Sequence, residues 1–384
     1  MWMTKNPRRG RDVIRLLVAA LVLLFPALPP APADADPGRQ LLRLTFLGDI
    51  MGHDVNLRME DYRDIYRGVE DVLRADDLTV ANLEFPIEPT LPVSGYPLFN
   101  ASRGYLDAAF DAGIDAFSLA NNHAFDQREE GILQTLRTAV SAKGAAARQI
   151  GFSGIRGNPR QPFAAETIVV RGMRVGFIAA TQFLNDPAGR SYVNVVDCTD
   201  ESAVQDFLSL VRRESARHDL FVVSYHGDNE YIGEPGPAKI SFFRRLLESG
   251  AHIVCSHHPH VVQGWELARV DGGDRLILYS MGNFISGMTW RLDPSEPAVG
   301  IPPRGESYLL AARVLLTGGT VSVVGAEAIP IANYRNARGE MVVGKLKELA
   351  DGTVRLPKAW TAYYAGRLAL MERSITSWRG ARPR

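Results

Sequence analysis

Cysteine is scarce in this chain of 384 residues, which has only Cys198 and Cys255. Two cysteines are too few for a disulfide scaffold, so the stability of the fold has to come from a hydrophobic core. Hydrophobic residues make up 46% of the sequence, and a chain of this length can bury a large core in one or two domains. An oxidising compartment would permit a disulfide between the two cysteines. Because Cys255 lies in a very apolar run, however, we expect it to be a buried free thiol.

Neither sign of charge is in excess. The chain has 43 basic residues (Lys and Arg) and 43 acidic residues (Asp and Glu), so its formal net charge is zero. No global positive field exists to hold nucleic acid, and no acidic tail is present in the sequence. Nucleic acid is therefore not expected as a partner.

Long apolar runs are also lacking. The N-terminal run from Leu16 to Phe25 is shorter than the roughly 20 residues of a membrane span. Basic residues precede it, and prolines and the small-residue segment Ala33-Asp34-Ala35 follow it. This order is typical of a secretory signal, so residues 1–35 are predicted to be a signal peptide cleaved after Ala35 or, alternatively, an uncleaved membrane anchor. Residues 36–42 would be a linker. The folded part would lie outside the cytoplasm, in the periplasm or at the cell surface.

Apolar strands and helices alternate along the rest of the chain. Strands are predicted at residues 41–47, 78–81, 116–120, 220–224 and 251–255. Helices are predicted at residues 60–75, 105–112, 131–143, 202–216 and 238–248. The repeated order of strand, polar loop and helix predicts a layered α/β fold with polar residues at the carboxyl ends of the strands.

Three hairpins and a C-terminal extension complete the predicted organisation. The hairpins span residues 166–180, 261–280 and 308–326, where two apolar segments flank a short polar turn. Residues 331–384 are predicted to be a polar, arginine-rich extension with one helix near residues 358–373.

Metal-capable side chains follow five of the predicted strands directly: Asp49, Glu84, Asn122 with His123, His226, and His258 with His260. Strand ends at one edge of an α/β sheet lie close together, so these residues can form a single site. Their imidazole, carboxylate and amide groups suit Mn, Zn or Fe ions, whereas copper thiolate chemistry or an all-oxygen calcium site would need other ligands. A carboxylate that bridges two cations is the arrangement needed for phosphoryl transfer.

Six short motifs occur in order: Gly48-Asp49-Ile50-Met51, Asn82-Leu83-Glu84, residues 120–126, His226 with Glu230-Tyr231, His257-His258-Pro259-His260-Val261, and residues 279–284. Together they resemble the bacterial capsule-synthesis protein A (CapA) family, which is linked to poly-γ-glutamate capsules and is similar in fold to the calcineurin-like metallophosphoesterases. The resemblance covers roughly residues 43–330. It implies a four-layer α/β/β/α sandwich of the metallo-dependent phosphatase type.

The resemblance implies metal-binding roles for six residues. Asp49 and His260 would bind a first ion, and Glu84 would bridge the first and the second. The second ion would also be bound by Asn122, His226 and His258. Two divalent ions are expected, Mn, Zn or Fe, although a single ion is the alternative.

The resemblance also implies roles for four residues that do not bind metal. His123 would protonate the leaving group or steady the phosphate. Asp126 would orient His123 or, as readily, cap a surface helix. Glu230 and Asn283 would line the substrate pocket, or serve as turn or packing residues.

The sequence departs from this pattern two residues after Asp49. Classical phosphoesterases have a histidine there, whereas this chain has Met51, with His53 as the nearest substitute. Phe85 stands where glycine is common, and His252 stands where aspartate is usual. These changes favour a weaker first-metal site, or one ion only.

Three functional hypotheses follow. The first is an exported hydrolase of capsule or poly-γ-glutamate biosynthesis, in which metal ions assist the cleavage of a phosphoester or a related anionic bond. The second is a non-catalytic accessory protein whose metal pocket binds an anionic polymer for export. Membrane-bound capsule synthesis and export subunits would be partners in either case. The third, a metal-independent binding module, requires all of the candidate ligands to be incidental.

Overall fold

The structure is a computed structural model, and it describes residues 39–146, 148–295 and 302–375. The predicted signal peptide or anchor at residues 1–35 lies outside the described residues. Within them, no helix combines the length and the apolar character needed to cross a membrane.

The described residues form fourteen strands and eight α-helices. In chain order the strands are β1 (Arg39–Ile50), β2 (Leu78–Leu83), β3 (Ala116–Ser118), β4 (Gly151–Ser153), β5 (Glu166–Val170), β6 (Met173–Thr181), β7 (Leu220–His226), β8 (Ile253–His257), β9 (Val262–Val270), β10 (Gly273–Met281), β11 (Asn283–Ile285), β12 (Glu306–Thr317), β13 (Thr320–Arg335) and β14 (Met341–Lys345). The helices are α1 (Asp54–Leu57), α2 (Glu70–Leu73), α3 (Arg103–Ala112), α4 (Arg128–Ala145), α5 (Glu201–Ser215), α6 (Pro237–Glu248), α7 (Leu346–Asp351) and α8 (Lys358–Ser374).

The strands assemble into two sheets. The first has the spatial order β14-β13-β12-β1-β2-β3-β4, and β11 pairs with the carboxyl end of β1. The second has the order β5-β6-β7-β8-β10-β9. In the first sheet β1 to β4 run parallel, as β6 to β8 do in the second, so their carboxyl ends meet at one edge of each sheet. The three predicted hairpins are confirmed as the antiparallel pairs β5–β6, β9–β10 and β12–β13.

Three hydrophobic clusters define four layers. The inner cluster lies between the sheets and joins Phe46 of β1 to Val222 of β7. Because side chains alternate across a strand, each sheet also has an apolar outer face. The outer face of the first sheet packs against α3, and Leu83 of β2 and Tyr105 of α3 belong to the same cluster. The outer face of the second sheet packs against α5 and α6. The predicted four-layer α/β/β/α sandwich is therefore confirmed. Cys255, a free thiol, is buried in the inner cluster.

The prediction of a continuous helix at residues 60–75 is wrong. The structure has a short 3₁₀ turn at Tyr62–Ile65 and the four-residue helix α2. Between them Gly68 lies against β14, so closely that a Cβ atom there would come within 2.4 Å of Val343 O. The apolar spacing arises because residues such as Tyr66 and Leu73 are buried in the outer cluster of the first sheet, which they reach without a regular helix.

The C-terminal segment completes the sandwich. The boundary predicted after residue 330 falls inside β13, which runs to Arg335 and pairs with β14. The predicted helix near residues 358–373 is present as α8, and its Tyr364 and Met371 are buried in the inner cluster. Strand pairing and burial therefore make residues 331–375 part of the fold, in place of the expected polar extension. At the other end β1 begins at Arg39, inside the predicted linker.

Candidate metal centre

The carboxyl ends of parallel strands bring the candidate ligands together. Asp49 lies in β1 beside Asn82 of β2, and Glu84 follows β2 directly. In the second sheet His226 is the last residue of β7 and pairs with His257, the last residue of β8. The backbone of both sheets thus fixes where these side chains emerge.

Glu84 lies between two groups of candidate ligands. The first ligand group is Asp49, Glu84 and His260, and the second is Glu84, His226 and His258; within each, one ligand atom per residue lies within 4.8 Å of the others. The Oε1 atom of Glu84 is 3.6 Å from His226 Nε2 and 3.7 Å from His260 Nε2. It is buried and has no hydrogen-bond partner among the described residues. A buried carboxylate oxygen of this kind is costly unless a cation compensates it, so its position fits a ligand shared by two ions.

Asn122 and His258 face His226 in the second ligand group. The Oδ1 atom of Asn122 lies 2.8 Å from His226 Nε2, and His258 Nδ1 lies 3.1 Å from the same nitrogen. Asn185 fixes the amide of Asn122, because its Oδ1 accepts a 3.2 Å hydrogen bond from Asn122 Nδ2. The amide oxygen is thus turned toward the imidazoles, where it adds a fourth donor atom to the second group.

Asp49 is held by both sheets. Its Oδ1 accepts a 2.9 Å hydrogen bond from Asn82 Nδ2, and its Oδ2 accepts one of 3.3 Å from the backbone N–H of His258. His257 Nδ1 and His260 Nδ1 lie 3.2 and 3.3 Å from its two oxygens. Burial alone would raise the pKa of Asp49, but the neighbouring imidazoles of His257 and His260 lower it well below its ordinary value. The carboxylate is therefore charged and fixed in orientation.

Asn283 contacts His260. Its Oδ1 lies 2.9 Å from His260 Nδ1, and its Nδ2 donates a 2.8 Å hydrogen bond to Arg304 O. Asn283 is fully buried in β11, beside Asp49 of β1. Asn283 therefore connects His260 to the backbone at Arg304 from a fully buried position.

Burial keeps the imidazoles of the second ligand group neutral. It lowers the pKa of His226 well below its ordinary value, and the neighbouring His258 lowers it further. The pKa of His258 falls to about 3, mainly through burial and then through His260. Burial and the negative charge of Asp49 raise the pKa of Glu84. A neutral imidazole has the free lone pair that binds a metal ion, and an added cation would stabilise the charged form of Glu84.

His123 belongs to a polar group beside the ligands. Its Nδ1 is 2.7 Å from Asp126 Oδ2, which also accepts a 2.8 Å hydrogen bond from Phe99 N–H. Asn185 Nδ2 lies 3.2 Å from the same His123 nitrogen and so connects this group to the second ligand group. Asp126 is not the N-cap of α4. Of the two roles predicted for Asp126, the geometry corresponds to the orientation of His123.

Glu230 is the exposed member of the site. It forms a third candidate ligand set with His258 and His260, again with atoms within 4.8 Å of one another. Its loop, residues 227–236, leads from β7 to α6. Contacts therefore connect every residue predicted for the site into one cluster, with Glu230 at the edge that faces solvent.

Met51 and His53 do not complete the first ligand group. Met51 is buried in the outer cluster of the first sheet, where it packs with apolar residues. The ring of His53 packs edge-on against Phe99 at a centroid distance of 5.3 Å, and burial lowers its pKa to about 4. Among the described residues, the sets of three candidate ligands do not include His53. The substitution of His53 for the missing histidine is thus not supported by the geometry.

Three contact residues at the site were not predicted as such. Asn82 Nδ2 lies 3.4 Å from Glu84 Oε2 and 3.2 Å from His226 Nδ1, so it crosses the gap between the sheets. Asn82 and His257 stand inside the strand-end motifs, where their position could have identified them. Asn185 lies in a loop after β6, and no local sequence pattern marks it.

The chain matches the sequence profile of one protein family, described as bacterial capsule synthesis protein PGA_cap, over residues 43–288. Among its relatives is the capsule biosynthesis protein CapA of Bacillus anthracis, which is 24% identical over 74% of this chain and 70% of that protein. The PGA biosynthesis protein CapA of Bacillus subtilis (strain 168) is also 24% identical, over 75% of this chain and 76% of that protein.

Solved structures resemble the chain more distantly. A hypothetical protein from Thermus thermophilus aligns with 75% of this chain and 98% of its own, at a TM-score of 0.43 and 17% identity. The calcineurin-like phosphoesterase YfkN from Bacillus subtilis aligns with 87% of this chain and 98% of its own, at a TM-score of 0.36 and 12% identity.

Proposed function

The chain belongs to the family of bacterial capsule synthesis proteins, and from this premise we propose that it is a metal-dependent hydrolase. Its substrate would be a phosphoester or a related anionic bond, cleaved outside the cytoplasm during the synthesis of a capsule polymer such as poly-γ-glutamate. The observation that carries the proposal is the position of Glu84. Its unpartnered Oε1 faces both ligand groups and is shared by them.

The donor atoms fit divalent ions of the Mn, Zn or Fe type. The first ligand group supplies two carboxylates and an imidazole, and the second supplies a carboxylate and two imidazoles together with the oxygen of Asn122. When bound, such ions neutralise charge on phosphoryl oxygens and activate a water for attack.

His123 would act as the general acid. Asp126 would accept a hydrogen bond from Nδ1–H, orient the ring and stabilise its imidazolium form, whose Nε2 proton would pass to the departing oxygen. Asn185 also contacts this ring, with its Nδ2 3.2 Å from His123 Nδ1. Both partners keep the imidazole next to the second ligand group before substrate arrives.

A non-catalytic accessory role is the second candidate. Met51 packs in the core and leaves the first ligand group with three donors, which favours one strongly bound ion over two. A single ion beside buried imidazoles would bind an anionic polymer without cleaving it. In either role, membrane-bound subunits that make or export the polymer are the partners we propose.

Metal content and turnover distinguish the two candidates. The full-length protein is loaded with Mn, and bound metal is measured by mass spectrometry before bis(4-nitrophenyl) phosphate is added with and without excess Mn. We expect bound metal and Mn-dependent release of nitrophenol. Bound metal without release would favour the accessory role. If Asp49→Ala together with His258→Ala left the metal content unchanged, the proposed centre would be wrong; His218→Gln, at a distant surface histidine, serves as the control.

A further inference from the structure

Tyr231 and Arg304 meet beside the candidate metal centre. Tyr231 lies on loop 227–236, and its ring centroid is 6.2 Å from that of His260. The Cζ atom of Arg304 lies 3.7 Å from the centroid of the Tyr231 ring, which is close cation–π contact. A guanidinium thus stands next to the first ligand group, although the sequence motifs did not point to it.

Hydrogen bonds tie both residues to the turn that carries the histidines. The backbone N–H of Tyr231 donates to Pro259 O at 2.8 Å. The backbone oxygen of Arg304 accepts from Asn283, whose other amide atom contacts His260. Tyr231 also adopts a positive φ of 63°, a strained conformation for a bulky residue. Strain of this kind is kept where the surrounding structure needs a side chain in one place.

The guanidinium of Arg304 has unused hydrogen-bonding capacity. Its Nε is buried and has no hydrogen-bond partner among the described residues. Within the same part of the chain no carboxylate forms an ion pair with it. A guanidinium carries five N–H donors in a planar fork, and a buried donor left unpaired costs free energy. A bound oxyanion would satisfy the fork with two parallel hydrogen bonds.

We propose that Arg304, supported by the ring of Tyr231, recognises a second oxyanion on the substrate, a carboxylate or a phosphate, next to the bond held at the metal centre. The substrate class is therefore an ester that carries an additional negative group close to the scissile phosphorus. This inference rests on the proposed function for the identity of that bond. The recognition itself depends only on Arg304 and Tyr231.

Three matched probes test the proposal. Each is a 4-nitrophenyl phosphodiester whose second alcohol ends in a carboxylate, a phosphate monoester or a neutral carboxamide. Values of kcat/KM are measured with the Mn-loaded full-length protein. If no turnover occurs, calorimetric binding of the same probes replaces kcat/KM, and metal content is measured in parallel. A failure of the proposed function then appears as absent metal or absent turnover, whereas a failure of Arg304 appears in the ratio between probes.

We expect the wild-type protein to prefer at least one anionic probe over the carboxamide by about tenfold or more. Arg304→Gln should reduce this ratio to near one while metal content stays close to wild type. Arg304→Lys should retain part of the preference, because it keeps the charge but loses the fork. Arg313→Gln, at an exposed arginine on β12, should change nothing.

Tyr231→Leu provides a second route if Arg304→Gln fails to fold. Tyr231 is 38% exposed, so its replacement leaves the core intact. Loss of the ring should lower the preference for the anionic probe, because Arg304 is no longer held in place. An unchanged ratio in both variants, or a wild-type protein with no preference, would overturn the proposal. The probe that is preferred distinguishes carboxylate from phosphate.

Discussion

Glu84 is the single residue shared by both ligand groups, and its replacement should affect both ions. Glu84→Gln keeps the size of the side chain but removes the charge that two cations would share. We expect metal affinity to fall by at least about 100-fold, since even supporting residues around metal ligands cost about 10- to 100-fold. Calorimetric titration with Mn measures the change. Glu327→Gln, at an exposed glutamate of β13, is the matched control and should bind Mn like the wild type.

His252 should make the protein sensitive to acid. Its Nδ1 accepts a 2.9 Å hydrogen bond from the backbone N–H of Phe221, and burial, followed by the charge of Arg275, lowers its pKa to about 3. In the unfolded chain the imidazole has its ordinary pKa near 6.5. As the pH falls, the unfolded state therefore takes up a proton before the folded state does. Its contribution to stability is therefore present above about pH 6.5 and is lost as the pH falls toward about 3.

The variant His252→Asn tests this contribution. An asparagine Oδ1 can accept the same backbone hydrogen bond and does not titrate. Urea unfolding with chelator present, at pH 7 and pH 4.5, should show that the wild type loses about 2 kcal/mol more than the variant over this interval. Equal losses in the two proteins would mean that His252 does not stay neutral in the folded state.

The loop between β7 and α6 depends on a buried lysine at its far end. Lys239 of α6 is only 1% exposed, and its Nζ lies 3.0 Å from Gln263 Oε1, 3.3 Å from Gly227 O and 3.7 Å from Asp228 Oδ2. Burial lowers its pKa to about 8, and Asp228 opposes the shift. Gln263 in turn donates to Ile232 O, so one network holds the start and the middle of loop 227–236.

Lys239→Met should loosen this loop. The variant removes one partner of a buried ion pair and leaves Asp228 uncompensated, which should lower the free energy of unfolding by about 3 kcal/mol. Hydrogen exchange followed by mass spectrometry should show that the increase in exchange rate over the wild type is larger in residues 227–236 than in β7 or α6. Lys347→Met, at a lysine whose side chain is 79% exposed, should exchange like the wild type. Uniformly faster exchange would indicate general destabilisation and contradict a local role.

Elements buried on both sides were predictable from sequence, whereas elements shaped by distant contacts were not. The strand at residues 220–224 and its following His226 are local signals, because an apolar run and a polar end are adjacent in sequence. The segment 60–75 has the spacing of a helix, but Gly68 must approach β14, which is far along the chain. Arg304 was not predicted as a site residue for the same reason, since only the fold brings it to Tyr231.

The site also joins the two sheets of the molecule. Asp49 and Glu84 come from the first sheet, and His226 and His258 come from the second. Bound ions would therefore link both halves of the sandwich, and because the unfolded chain does not assemble these ligands, they should stabilise the folded state. At an ion concentration 100 times the dissociation constant this stabilisation is about 2.7 kcal/mol.

Thermal unfolding should report this link. We expect the melting temperature to rise by a few degrees when Mn replaces chelator, given the usual relation between stability and Tm for a chain of this size. The same addition should leave Glu84→Gln within the error of the chelated protein. A wild-type Tm that does not respond to Mn, Zn or Fe would contradict the idea that ions hold the sheets together.

The central position of β1 has a consequence for the synthesis of the protein. Residues 39–46 pair with residues 310–317 of β12, so one neighbour of the earliest strand is made long after it. During translation, the edge of β1 that pairs with β12 stays unpaired until residues 310–317 have been synthesised. Such distant pairing slows folding, because the entropic cost of closing the long intervening loop has to be met before the contacts between the two strands form.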